Sequence, residues 1–311
     1  MILGAIKERI KTFGGGLSFV FNSVGLVSKG QNIEYSVLQT AHRIEKGLTI
    51  RDPKVGWGKE KASSLLTQLD LLKRRFGTDN FSYITGISVL AAYCNDKQKS
   101  LLEDDIVIAQ QLYKKANDLN IHLEANCFGG IKEVKKDDIK CDIKAWDHII
   151  NSRHSIRDYS DDNVTDDEIK MAVNMAMKCP SACNRQPVNV YVIDSSQRKK
   201  MCGENSYNAN RYIIITGVSS AFSINEVPDW IVNASIFASY LSLSFHVLGI
   251  GNCIIRKDLW RNSKYNKLLR KYCSIPSNEQ IVLEMALGKY KENFNVAVSN
   301  RKQASQVLHI V

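Results

Sequence analysis

The stretch Ser152-Arg153-His154-Ser155-Ile156-Arg157-Asp158-Tyr159 sets two guanidinium groups four residues apart, with an imidazole and a hydroxyl between them. Guanidinium forks and hydroxyls form charge-assisted hydrogen bonds to phosphate oxygens, each contributing roughly 1.5–3 kcal/mol. The same composition also suits a solvated basic loop, so taken alone the stretch leaves both readings open. A second stretch, Cys179-Pro180-Ser181-Ala182-Cys183-Asn184-Arg185-Gln186-Pro187, frames short polar side chains with two prolines. Proline fixes φ and stiffens such a loop, and hydroxyls and amides held on it can reach a polyol or the heteroatom edge of a ring. An ordinary helix-to-strand turn with Asn184 as a cap is the alternative.

The elements that must position these groups fall into two kinds. From Glu34 to about Asp118 the pattern is helical, with Leu65, Leu69, Leu72 and Phe76 at helical spacing, and a bundle of several helices is expected. Gly129-Gly130 and the polar run from Lys132 to Asp142 mark a composition shift, which places a boundary near residue 145. The expected units are residues 1–145, mostly helical and of unassigned role, and 146–311. Beyond the boundary helix and strand signals alternate: a helix through Ile149, a helix from Asp166 to Lys178, β-branched stretches at Val188 to Ile193 and Tyr212 to Thr216, a long helix from about Asp229 to Leu248, and a strand from Ile281 to Leu287. Thr165 with Glu168 three residues on predicts a capping box. Such mixing is α+β.

Composition narrows the classes. Among 311 residues, 44% hydrophobic and 24% charged with 5 prolines are globular values, which argue against disorder or low complexity. A net charge of +10 favours anionic partners. It is spread over both halves rather than gathered in a stripe with interleaved aromatics, so no nucleic acid is expected. Eight cysteines without a CxxC exclude an ordinary zinc ribbon, Cys179 and Cys183 make at most half a metal site, and no metal is expected. Scattered thiols suggest a reducing cytoplasm. Phe13 to Val27 is apolar behind Lys7, Arg9 and Lys11 but carries Gly14, Gly15, Gly16 and Asn22, so a packing segment is favoured over peripheral membrane contact through residues 1–30. Gly249-x-Gly251 lacks the third glycine of a dinucleotide fingerprint, and no Walker A, HExxH or GxSxG occurs. His42, His122, His148, His246 and His309 stand isolated and read as packed or surface side chains.

The two polar stretches, in this order and with a capped helix between them, closely resemble the FMN-dependent nitroreductase family. The resemblance continues through Phe245-His246-Val247-Leu248-Gly249-Ile250-Gly251-Asn252-Cys253-Ile254-Ile255, similar to the family's long central helix ending in a Gly-x-Gly turn. It also takes in Ala286-Leu287-Gly288-Lys289-Tyr290 and Ser299-Asn300-Arg301-Lys302. It covers about residues 146–311. The earlier His42-Arg43-Ile44-Glu45-Lys46-Gly47-Leu48, with Gly56-Trp57-Gly58, looks like an extension of some bacterial members, read as a helix end capped by Gly47 and packed on the flavin domain.

The resemblance implies a nitroreductase-like mixed sheet flanked by helices, preceded by a mostly helical N-terminal region. It assigns the FMN phosphate and ribityl chain to Arg153, His154, Ser155 and Arg157, with Arg301 as a further phosphate ligand. Pro180, Ser181, Asn184 and Gln186 match the loop that reaches FMN from the other subunit of a homodimer, and backbone around Cys253, Ile254 and Ile255 lies along the flavin ring. No catalytic acid or base is implied: NADH or NADPH reduces FMN, which passes electrons to a small nitro, quinone or related acceptor in ping-pong turnover. Val188 and Ile254 stand where members often carry aromatic residues, which alters the pocket. A flavin-binding sensor or partner-binding module without turnover, and related flavin chemistry such as dehalogenation, are the competing readings.

Overall fold

The structure, a computed structural model, describes residues 33–50, 53–203, 207–223, 226, 229–256 and 263–311. The segment weighed for membrane contact within residues 1–30 lies outside them. Four helices come first: α1 (Ile33–Leu48), α2 (Lys59–Phe76), α3 (Phe81–Gln98) and α4 (Glu103–Asp118). In α2 the leucines at 65, 69 and 72 are fully buried, whereas Phe76, at the helix end, is 57% exposed. Helix α3 starts at Asn80, whose side chain accepts from the Tyr83 amide at 2.9 Å, and buries residues on nearly all its sides. A helix apolar all round belongs in the middle of a bundle, and α1, α2 and α4 pack against it. Their shared core draws only on residues from Ile33 to Ile121.

Gly58 and Gly77 stand at the two ends of α2, whereas Gly47 serves contact rather than capping. Gly47 sits inside the last turn of α1, where an added Cβ would lie 2.1 Å from Cζ3 of Trp57, so the expected helix cap is instead the floor under an indole ring. Trp57 meets Tyr93 edge-on at 5.2 Å, and Tyr93 donates its hydroxyl to the Trp57 carbonyl at 2.6 Å. Beneath them lies a buried ion pair, Lys97 Nζ to Asp105 Oδ1 at 3.0 Å, whose carboxylate also accepts from Ser100 Oγ and from the Gly56 amide. Buried charge is tolerable only when paired and hydrogen-bonded in this way.

The second half holds α5 (Ile143–Ser152), α6 (Asp166–Ala176), β1 (Val188–Asp194), α7 (Ser195–Cys202), β2 (Arg211–Val218), α8 (Asp229–Val247), β3 (Ile250–Ile255), α9 (Lys264–Tyr272) and β4 (Glu279–Lys289). The predicted capping box at α6 is present: Thr165 Oγ1 accepts from the Glu168 amide, and Glu168 accepts from the Thr165 amide at 2.9 Å. The strands order β1-β2-β4-β3, and each neighbouring pair is antiparallel. The α+β class stands. Among the described residues the ladders are antiparallel and the parallel pairing expected of a mixed sheet is the single bridge Ser155 to Asn252; β2 and β3 also run the same way, with β4 between them. A parallel relation requires a crossover, and α8 is that crossover, lying against β2, β3 and β4.

Both sheet faces are covered. Ile213, Ile215, Met285 and Leu287 join the core under α6 and α8, and the intervening Tyr212, Ile214 and Ala286 join the other core with α9 and Ile156. The strict alternation follows from the period of two in a strand. Burial on both faces explains why the sequence there is a continuous apolar run rather than an alternating one.

Candidate functional site

The segment that carries the paired arginines is laid along the end of the sheet. Ser155 bridges Asn252 of β3, the Ile156 amide donates to the Asn252 carbonyl at 3.0 Å, and the Ser160 amide donates to the Lys289 carbonyl at 3.0 Å. Two glycines make that approach feasible. An added Cβ on Gly251 would meet Ile156 at 3.1 Å, and one on Gly288 would meet Tyr159 at 2.5 Å. Ile156 and Tyr159 are thereby buried, with the Tyr159 hydroxyl donating to the Ile156 carbonyl at 2.6 Å. Their neighbours are more open: Arg157 is exposed, and Arg153, His154 and Ser155 are half-buried. Asn252 itself is pinned from behind, accepting from Ser242 Oγ at 2.7 Å and donating to the Ser242 carbonyl at 3.0 Å.

These side chains line a pocket of about 520 Å³. Arg153, His154, Ser155 and Arg157 form one side, and Val298, Ser299 and Arg301 close the other. Among the described residues no aspartate or glutamate lines it, and none of the ion pairs involves Arg153, Arg157 or Arg301. Arg157 donates to the Ser155 carbonyl at 3.3 Å and stands 5.7 Å from the Tyr207 ring, and Arg301 donates to the Ser299 carbonyl. Three arginines and a serine hydroxyl lining one pocket without a carboxylate form a donor set that suits one terminal phosphate.

Cys253, Ile254 and Ile255 follow Asn252 directly and form the second half of β3. Gly249, at φ 71°, makes the turn alone, and Gly251 already belongs to the strand. Cys253 is buried and Ile254 is 46% exposed. Burial pushes the Cys253 thiol above its ordinary pKa, while Arg157 and Arg153 pull it back.

The second polar loop does not line this pocket within the chain. Pro180 and Asn184 are exposed, and Ser181 and Gln186 half-buried, at a separate place beside α1, which packs against residues 182–184. Ser181 Oγ accepts from the Gln186 amide at 3.1 Å, and the Gln186 side chain donates to Asn184 Oδ1 at 3.2 Å. The loop is strained: Cys183, Asn184 and Gln186 have φ of 51°, 48° and 49°, a left-handed conformation that costs non-glycine residues energy. What holds it is Arg185. Its guanidinium, 1% exposed, donates to Glu226 at 2.6 Å, to the Ala221 carbonyl at 2.7 Å and to the Ala182 carbonyl at 3.1 Å, and it lies 4.4 Å from the Phe222 ring.

Arg185 and His246 are the contributors that sequence reasoning passed over. Arg185 looked like one more polar loop residue, and its partner lies 41 residues away. His246 looked isolated, yet both its ring nitrogens are within hydrogen-bond distance of hydroxyls, one of them from a residue 94 positions earlier. Among the described residues no group of three or more His, Cys, Asp or Glu side chains is placed to hold a metal ion.

A family model described as "Nitroreductase family" matches residues 150–217. A protein of Archaeoglobus fulgidus with the provisional name NADH dehydrogenase/NAD(P)H nitroreductase is 29% identical over 150 residues, which are 46% of this chain and 84% of that protein. Among solved structures, an FMN-dependent nitroreductase from Clostridium difficile aligns at 24% identity with a TM-score of 0.44, covering 52% of this chain and 96% of that one. A nitroreductase with bound FMN from Bacteroides fragilis aligns at 15% identity with a TM-score of 0.45, covering 53% and 97%. The family match begins just ahead of Arg153 and Arg157 and runs through the strained loop into β2, so the nitroreductase resemblance carried by these two motifs and the family model fall on the same part of the chain.

Proposed function

We propose that the protein is an FMN-dependent NAD(P)H oxidoreductase acting on a small organic acceptor such as a nitro compound or quinone. The observation that carries this reading is the pocket in which Arg153, Arg157 and Arg301 converge with Ser155 and without a carboxylate. Those residues fit a single terminal phosphate, and the Gly249 turn does not offer the glycine-rich helix start that a pyrophosphate requires. When bound, FMN supplies acceptance of hydride from NAD(P)H and its delivery to the acceptor, in two separate half-reactions. The chain's own part would be to hold the phosphate by the guanidinium groups of Arg153, Arg157 and Arg301, with the backbone of Cys253 to Ile255 available to the ring, in a pocket free of carboxylates that would repel the anion.

In the same proposal two copies assemble, so that Pro180, Ser181, Asn184 and Gln186 of one complete the site of the other. Their separation from the phosphate pocket within one chain supports this. So do the exposed apolar residues on α5 and α8, two helices in contact: Ile143 at 81%, Trp146 at 57%, Val232 at 50% and Val247 at 51%. The helices from Ile33 to Asp118 would belong to a helical unit, and the flavin-binding unit would start near residue 145, close to the beginning of α5. The test is the absorption spectrum of purified protein, mass spectrometry of the released cofactor, and anaerobic addition of NADH. A flavin band that bleaches, with FMN released, is expected; release of FAD, or no flavin uptake on reconstitution, refutes it.

A further inference from the structure

His246 lies in the last turn of α8, half-buried, and both its ring nitrogens are engaged. Nε2 is 2.8 Å from Ser152 Oγ, and Nδ1 is 2.8 Å from the Tyr290 hydroxyl oxygen. Ser152 Oγ also donates to the His148 carbonyl at 2.7 Å. A hydroxyl has one proton to give, so with that bond made Ser152 accepts from Nε2–H, and Nδ1 of the neutral ring accepts from Tyr290. Every proton in the chain of bonds is then used. The neutral form is also the one the surroundings favour: burial, then Arg153, His154 and His148, hold the imidazole below its ordinary pKa. At neutral pH His246 therefore acts by position and not by charge.

The two residues it joins belong to the two stretches of chain that supply the pocket's lining, Ile150 to Arg157 and, after Tyr290, Ala297 to Arg301. Ser152 immediately precedes Arg153, on the run that continues to Arg157. Tyr290 ends the β4 motif and stacks on Phe294 at 5.3 Å, at the head of the run that leads to Arg301. Helix α8 is anchored under the sheet, with Phe245 fully buried one residue away. The imidazole thus fixes both segments to one rigid element.

We propose that His246 is a positioning residue for the phosphate pocket, a pin that sets the spacing at which Arg153 and Arg157 on one segment and Arg301 on the other converge on a single phosphate. The proposal rests on the FMN reading above and names a residue through which the pocket's geometry is held.

The experiment uses full-length apo-protein, wild type and His246→Phe, titrated by flavin fluorescence with FMN and with riboflavin, which shares the ring and ribityl chain but lacks the phosphate. If the pin acts through the phosphate ligands, His246→Phe weakens FMN binding about tenfold, the scale of one well-placed charge-assisted contact, and leaves riboflavin within about twofold. Equal weakening of both flavins, or an unchanged FMN dissociation constant, overturns it. His246→Gln, which keeps an amide donor able to reach Ser152, should lose less than His246→Phe, and it serves as the variant should the phenylalanine one fail to fold. Inorganic phosphate titrated calorimetrically reads the same geometry without flavin. A wild type that binds phosphate but not FMN removes the flavin reading and keeps the pin if His246→Phe loses phosphate; equal phosphate affinity in the two proteins, or none in either, overturns the pin.

Discussion

Replacing Glu226 by glutamine tests what holds the strained loop. The Arg185 side chain is fully buried, the Glu226 side chain is 26% exposed, and they meet at 2.6 Å. Hydrogen bonds from Arg185, and then from the Ser223 amide and hydroxyl, outweigh burial and hold the Glu226 carboxyl down at about 2, against an ordinary 4.5. A depression of that size corresponds to about 3 kcal/mol of native-state stabilisation. It agrees in scale with the roughly 3–5 kcal/mol lost when one partner of a buried pair is removed. The folded-state pKa is the lower one, so this stability is fully present above about pH 5 and is lost as pH falls toward 2. Glu226→Gln should therefore reduce the unfolding free energy in urea at pH 7 by about 3 kcal/mol and flatten its fall between pH 5 and 2. The two carbonyls that also accept from Arg185 keep the loss near the lower bound. An unchanged urea midpoint at pH 7, or a variant with the wild-type acid dependence, would refute the view that this pair pins Cys183, Asn184 and Gln186 in their left-handed conformations.

Three further outcomes follow from the geometry. Arg301→Ala removes one of the three guanidinium groups proposed to hold the phosphate and should weaken FMN binding about ten- to a hundredfold by fluorescence titration, with an unaltered circular dichroism spectrum and an NADH oxidase rate restored by excess FMN. Gly288→Ala forces a Cβ to within 2.5 Å of Tyr159, which must shift together with the arginine-bearing segment, so a loss of about 1–3 kcal/mol and weaker flavin retention are expected in thermal melts of the holoprotein. Lys97→Met leaves Asp105 buried with only Ser100 and Gly56 as donors and should cost about 3–5 kcal/mol in chemical unfolding, whereas Lys97→Met combined with Asp105→Leu should recover most of it.

Local chemistry was legible in the sequence because its causes lie within a few residues. The Thr165–Glu168 box, the leucine spacing of α2, the α8 helix and the β-branched runs of β1, β2 and β4 depend on caps and periodicity, and the structure forms them close to where the pattern puts them. The Arg153 to Arg157 run and Arg301 could be named from motif alone, although nearly 150 residues separate them. Their convergence on one pocket was not in any local pattern; it arises because Gly251 and Gly288 let the first segment lie on the sheet.

Tertiary structure decided the rest, wherever a residue's role depends on a distant partner. Strand β3 hid behind the α8 signal because it is short and only Leu248 and Gly249 separate it from the helix, so its apolar run carried no alternation of its own. Gly47 fits a cap by type, but its task is set by Trp57 packing across it. Arg185 is charged and sits in a polar loop, yet it is buried because Glu226 and two carbonyls compensate it there. His246 had no neighbour of interest in the sequence; only the fold brings Ser152 and Tyr290 to its two nitrogens. Sequence spacing records caps and periodicities, whereas a hydrogen bond between residues 94 apart exists only once the sheet and its crossover helix have fixed where both ends lie.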